Sequence, residues 1–125
     1  MPKSPSPVPA WRKQPEEQDY PAAFSYLSLI FTTAEAARFV AALRKAKVAE
    51  FKAKDIFRAS GLSLLGVSNY HVRKDQKKIR DGKALSPLLL VRDRGNARVI
   101  IADGYHRLCA IYSFDEDCRV RCKIV

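Results

Sequence analysis

Five consecutive residues, Asp103-Gly104-Tyr105-His106-Arg107, place a carboxylate, a phenol, an imidazole and a guanidinium in one short stretch of chain. Histidine ordinarily titrates near neutrality, so His106 is a candidate catalytic proton carrier, with Asp103 as the alternative base. Arg107 offers a planar fork of N–H donors that matches the oxygens of a phosphate. Tyr105, whose phenol titrates near pH ~10, is neither a ready nucleophile nor a carboxylate base. What these groups can do depends on the backbone beneath them. Val99-Ile100-Ile101-Ala102 is an uncharged, mostly β-branched run that stops at Asp103-Gly104, as a strand buried on both faces would. Leu108, Ile111 and Tyr112 then recur at helical spacing. Gly104 permits a sharp turn between the two, and Asp103 is placed to cap the first helical turn. His106 and Arg107 therefore fall in that turn, where unpaired N–H groups and the positive dipole end favour an anion. The stretch reads as a small phosphate or nucleotide site. The alternative is a capped helix carrying a solvated arginine.

At 125 residues the chain is expected to form one domain. Its net charge is +10, from 23 Lys and Arg against 13 Asp and Glu. Nearly all of the excess lies in residues 38–83, a field that attracts phosphates on a nucleotide or on nucleic acid. Cys109, Cys118 and Cys122 form an odd set without a signal peptide, which suggests a reducing cytoplasm and thiols acting as small apolar groups. Their spacing lacks the fourth ligand of a zinc site, so no metal is expected. No apolar run approaches the ~18 residues of a membrane span.

Residues 1–18 carry Pro2, Pro5, Pro7, Pro9 and Pro15 among Ser, Lys and Glu, and read as a disordered or extended tail with Trp11 as its one large anchor. Residues 19–125 are expected to form the domain. Asp19 and Pro21 mark a helix start, and Thr32-Thr33-Ala34-Glu35 is a capping box for a second, amphipathic helix. Together residues 19–47 make a helical hairpin. In residues 48–125, Val48–Lys54 suggests an edge strand and Asp55–Ser60 a short helix stopped by Gly61; Leu62–Ser68 reads as a loop. Asn69 caps a basic helix containing Arg73, Lys74, Lys77 and Lys78, most of which must be wet. Leu88–Val91 is a buried strand opened by Pro87, and the Gly95-Asn96 turn returns Val99–Ala102 antiparallel to it. The last strand alternates Cys118, Val120, Cys122 and Ile124 with Arg119, Arg121 and Lys123, giving one buried and one basic face. The fold class is α+β, a small mixed sheet with packed helices.

From about Lys54 to Val125 these segments resemble the ParB N-terminal/sulfiredoxin-like superfamily. Asn69-Tyr70-His71-Val72-Arg73 is similar to its Asn-Pro-x-Gln-x-Arg box, and Ser86–Arg92 to its Pro-Ile-Leu-Val-Arg strand. Ile101–Arg107 resembles the second box, and its Asp-Gly-x-His-Arg form is like that of the small free-serine kinases of the superfamily. The resemblance implies a phosphate cradle at Gly104, Tyr105, His106 and Arg107, with Asn69, His71 and Arg73 contributing from the first box. The implied ligand is a nucleotide, such as a triphosphate with Mg²⁺, and the implied enzyme, if turnover occurs, is a phosphotransferase or nucleotide hydrolase. Tyr105 stands where sulfiredoxins carry the attacking Cys and ParB proteins a Glu, which argues against sulfiredoxin chemistry. The DNA-reading module of ParB proteins is expected to be missing, since the sequence stops directly after the last strand. The competing reading is a nucleic-acid-binding module or ParB-like nuclease using Lys74, Lys77, Lys78, Arg119, Arg121 and Lys123.

Overall fold

A computed structural model gives the fold and describes residues 6–64 and 69–125. A four-stranded mixed sheet is built from β2 (Ala49–Lys52), β4 (Leu88–Asp93), β5 (Arg98–Asp103) and β6 (Arg119–Ile124). Their order is β2-β6-β4-β5, with β6 parallel to β4 and the two outer pairs antiparallel. The β4–β5 connection is the tight turn that Gly95-Asn96 predicts, a single 3-10 turn over Arg94–Asn96.

Alternation along β4 sorts two cores. Leu89 and Val91 face α1 (Asp19–Ile30) and α2 (Thr33–Lys45), packing with Ala23, Leu27 and Leu43. Leu88 and Leu90 face α3 (Ala53–Ser60), α4 (Tyr70–Arg80) and α5 (Tyr105–Phe114), packing with Val72, Leu108 and Val120. The sheet is thus sandwiched, which is why its central strand carries an unbroken apolar run. The α2 capping box forms as its sequence predicts: Thr32 Oγ1 accepts from the Glu35 N–H at 3.2 Å, and Glu35 accepts from the Thr32 N–H at 3.3 Å. α1 begins one residue earlier than expected, with Gln18 as its cap and Asp19 in its first turn.

Three expectations are corrected. Over residues 6–18 the chain is not an unpacked tail. β1 (Ala10–Trp11) runs parallel to β3 (Ala84–Leu85), Arg12 N–H donates to the Leu85 carbonyl at 2.8 Å, and Trp11 packs against the α3–α5 core. Proline suits such a segment because it needs few backbone donors; Pro9 and Pro15 are buried in it. Residues 1–5 and the 65–68 part of the predicted loop lie outside the described residues. Secondly, β6 does not present a continuous basic face. Lys123 is 2 % exposed beneath the hairpin, donating to the Tyr20 hydroxyl at 3.2 Å and to the Arg44 carbonyl near the end of α2 at 3.0 Å. An ammonium there is stabilised by the negative end of the helix dipole. Thirdly, Asp103 does not cap α5: Gly104 occupies the cap position, and no side chain supplies a capping bond.

Cys109 and Cys122 are buried and Cys118 is half-buried, with no disulfide among the described residues. Burial pushes the Cys122 thiol up to about 12, consistent with a packing role. Among the described residues no helix is long and apolar enough to cross a membrane.

Candidate functional site

β5 ends at Asp103, and the chain turns through Gly104 at φ +106° into α5. Glycine is required here twice over. The dihedral is one that side-chain-bearing residues rarely adopt, and a Cβ would lie 2.6 Å from Leu88 Cγ and 2.9 Å from Arg107 Nη2. The turn brings the first N–H groups of α5 to a cleft of about 280 Å³ whose other walls are α4, the start of α1 with the segment before it, and the stretch from Ala84 to Ser86.

Arg107 does not reach into that cleft as an open fork. It folds back under the helix start, where Nη2 meets Asp103 Oδ2 at 2.6 Å, and Nη1 donates to the Ser86 carbonyl at 3.0 Å and lies 3.5 Å from Asp19 Oδ2. Its side chain is only 13 % exposed. The Ser86 hydroxyl donates to Asp19 and accepts from the Glu16 N–H at 3.0 Å. One guanidinium is thus shared by two carboxylates from different parts of the fold. Burial pushes the Asp103 carboxyl up to about 6; Arg107 opposes the shift and the Asp19 charge adds to it.

The α4 wall follows from helical spacing. His71, Lys74, Asp75 and Lys78 stand at i, i+3, i+4 and i+7, one face of the helix, and all line the cleft. The His71 and His106 rings lie 4.8 Å apart. Burial lowers the His106 pKa and the neighbouring His71 adds to this, while Asp75 opposes the shift. Burial raises the Asp75 carboxyl, against the pull of Lys78, whose Nζ is 3.9 Å away. Tyr105 lines the cleft with its hydroxyl donating to the Ser63 carbonyl, and burial raises its pKa.

Comparison with protein-family models, curated proteins and solved structures found no match to this chain. The site therefore stands on geometry.

Of the residues singled out in the sequence, the fold gathers His71, Lys74, Lys78 and Asp103 to Arg107 around one cleft. Others fall elsewhere. Arg73 is exposed and does not line the cleft, because two residues on from His71 a helix has turned by more than half a circle. Asn69 is occupied as a helix cap, its Oδ1 accepting from the N–H groups of His71 at 3.0 Å and Val72 at 3.2 Å. Lys77 pairs with Asp81 at 3.0 Å, and Arg121 with Glu50 at 3.4 Å, while Arg119 is exposed on the sheet. The basic side chains considered for nucleic acid are therefore dispersed, and Lys123 is buried. Sequence reasoning missed Asp75, Asp19 and Ser86. Asp75 carried a usable signal, its i+4 spacing from His71. Asp19 and Ser86 carried none, since only the tertiary fold brings them to Arg107.

Proposed function

We propose that the chain is a ParB/sulfiredoxin-like domain that binds a nucleotide or another phosphorylated small molecule in the cleft at the start of α5. The observation that carries this reading is the convergence of two phosphate-favouring features on one cleft, the open first turn of α5 after Gly104 and Lys74 with Lys78 on the facing helix. The two boxes that carry the resemblance fall on α4 and at the β5–α5 turn, either side of this cleft.

In this reading Arg107 is a positioning residue. With its charge balanced by Asp19 and Asp103, attraction for the phosphate comes from the lysines and the helix start. Asp103 lines the cleft, and with its carboxyl at about 6 it is the candidate base for a proton of a bound ligand. Among the described residues no group of three or more His, Cys, Asp and Glu side chains is arranged to hold a metal ion. Mg²⁺ would therefore arrive on the ligand's phosphates, where one or two protein carboxylates suffice, and Asp75 and Asp103 line the cleft to supply them.

Calorimetric titration of the full chain with ATP and with pyrophosphate, with and without Mg²⁺, tests the reading. The expected result is binding by the wild type, weakened tenfold or more by Lys74→Ala/Lys78→Ala (on the order of 1.4 kcal/mol) and unchanged by Lys45→Ala. Absence of binding to both probes overturns it. Affinity for DNA or RNA that collapses between about 50 and 200 mM salt, with no nucleotide binding, would favour the nucleic-acid reading instead.

A further inference from the structure

We propose that α1 is a self-association surface, on which two copies of this chain pack antiparallel about a two-fold axis. The helix is apolar on both sides. Tyr20, Ala23 and Leu27 are buried against the sheet and α2. The outward positions carry Ala22, Ser25, Tyr26, Leu29 and Ile30, all exposed: Leu29 by 85 %, Ile30 by 43 % and Tyr26 by 41 %. Helices that are apolar all round are ordinarily covered on every side. The other helix of the hairpin shows the contrast, since the outward positions of α2 include Arg38, Arg44 and Lys45. From Tyr20 to Ala34 the chain has no charged residue, although 29 % of the whole chain is charged. Leu29 stands ten residues after Asp19, about 15 Å along the axis. The face is therefore separate from the cleft that Asp19 lines, and it lies outside the stretch from about Lys54 that carries the family resemblance.

Charge and side-chain size together name the occupant. A chain of net charge +10 attracts an acidic partner through its Lys and Arg side chains, and the outward positions of α1 hold none. Two copies of the chain repel each other, and they meet at least cost where neither presents a charge. Ala22, Tyr26 and Leu29 stand at i, i+4 and i+7, the stripe by which paired helices meet. The N-terminal half of this stripe is small, Ala22 with Ser25, and the C-terminal half is large, Leu29 with Ile30. Turned antiparallel about a point between Ser25 and Tyr26, each Leu29 falls on the Ala22 of the second copy, large on small at both ends. Parallel pairing would set Leu29 against Leu29. The antiparallel contact is closed by its two-fold axis, and antiparallel helix dipoles attract each other.

Sedimentation equilibrium of the full chain tests this in wild type, Leu29→Glu, Ala22→Lys, the double variant Ala22→Lys/Leu29→Glu, and Val8→Glu. A contact one helix long is at the small end of interface sizes, so the wild type is expected to dimerise with a Kd of roughly 10–100 μM. Dimerisation should tighten between about 50 and 500 mM salt, as the repulsion of like charges is screened. Leu29→Glu and Ala22→Lys should each weaken it by about tenfold or more. The double variant should recover most of that loss, because the antiparallel order sets each glutamate against a lysine of the second copy. Val8→Glu changes the net charge as Leu29→Glu does, at an exposed apolar residue on a different element, and should leave the dimer as in wild type. The substituted side chains face solvent, so each variant, when dilute and monomeric, should melt within about 2 °C of wild type. A wild type that stays monomeric to about 1 mM at the higher salt overturns the proposal. So does a dimer that Leu29→Glu leaves intact, one that Val8→Glu dissolves equally, or a double variant no better than the single ones.

Discussion

Replacing Asp103 with Asn probes the carboxylate pair directly. In the folded protein the Asp103 carboxyl lies at about 6, against an ordinary value of 3.8, chiefly because it is buried. A raised acid means that the native state holds a proton which the unfolded chain has already released between those two values. Stability therefore falls as pH rises through that window, and the whole cost of ionising the buried group is present at pH 7. At about 1.4 kcal/mol per unit, a shift of roughly two units corresponds to about 3 kcal/mol. Asparagine mimics the protonated acid: it is isosteric, uncharged, and can donate a hydrogen bond towards Asp19. It also leaves Arg107 and Asp19 as a one-to-one ion pair at 3.5 Å. Asp103→Asn should therefore be more stable than wild type at pH 7, by up to about 3 kcal/mol, and the two proteins should converge near pH 4. Other groups titrate in the same window. Asp75 is raised by burial, whereas Asp93 and Asp117 are lowered by hydrogen bonds from Asn96 and Lys54. The quantity to follow is thus the difference between the two unfolding curves, measured by urea denaturation from pH 4 to pH 8. A difference that stays flat with pH, or a variant less stable than wild type at pH 7, would refute the assignment of a raised carboxyl to Asp103.

Three further outcomes follow from the same geometry. Gly104→Ala places a Cβ 2.6 Å from Leu88 Cγ in a backbone conformation with φ +106°, and should cost about 2–3 kcal/mol or more by urea denaturation; a loss under about 0.5 kcal/mol would show that the turn can relax. Trp11→Ala should lower stability by about 2 kcal/mol, since Trp11 is partly buried against the main core; a melting temperature within about 2 °C of wild type would mean that residues 6–18 do not hold to the domain. Lys123→Ala removes an ammonium that donates to Tyr20 and Arg44, and should cost about 2 kcal/mol with faster amide exchange at the end of α2; unchanged exchange there would place the role of Lys123 elsewhere.

The elements were largely legible because each is locally specified. The capping box at Thr32–Glu35, the Asn69 cap, the Gly61 stop, the Gly95-Asn96 turn and the apolar runs of β4 and β5 all act over a few residues, and all appear in the structure. The apparent tail escaped because what holds it is not in its own sequence. A proline-rich segment with one tryptophan reads as unstructured until Leu85 supplies a carbonyl and the α3–α5 core supplies a surface for the ring. Lys123 escaped for the converse reason: strand alternation assigns it to the face opposite Cys122 correctly, but cannot foresee that a helical hairpin covers that face.

The arginine of the Asp-Gly-x-His-Arg stretch shows where local reading of a site stops. Its position was legible, on the first turn of α5 beside the cleft, and so was its capacity to grip two oxygens at once. Which oxygens it grips depends on Asp19, Ser86 and Asp103 together, three residues from separate elements that meet only in the folded chain. With its donors so engaged, Arg107 ties the α1 start and the β3–β4 connection to the end of β5, and thereby fixes the walls of the cleft. A ligand phosphate that claimed the guanidinium would leave two carboxylates facing each other in a mostly buried setting, and burying unpaired charge is costly. The energetically consistent arrangement keeps Arg107 with its carboxylates and leaves the phosphate to Lys74, Lys78 and the backbone N–H groups that Gly104 exposes.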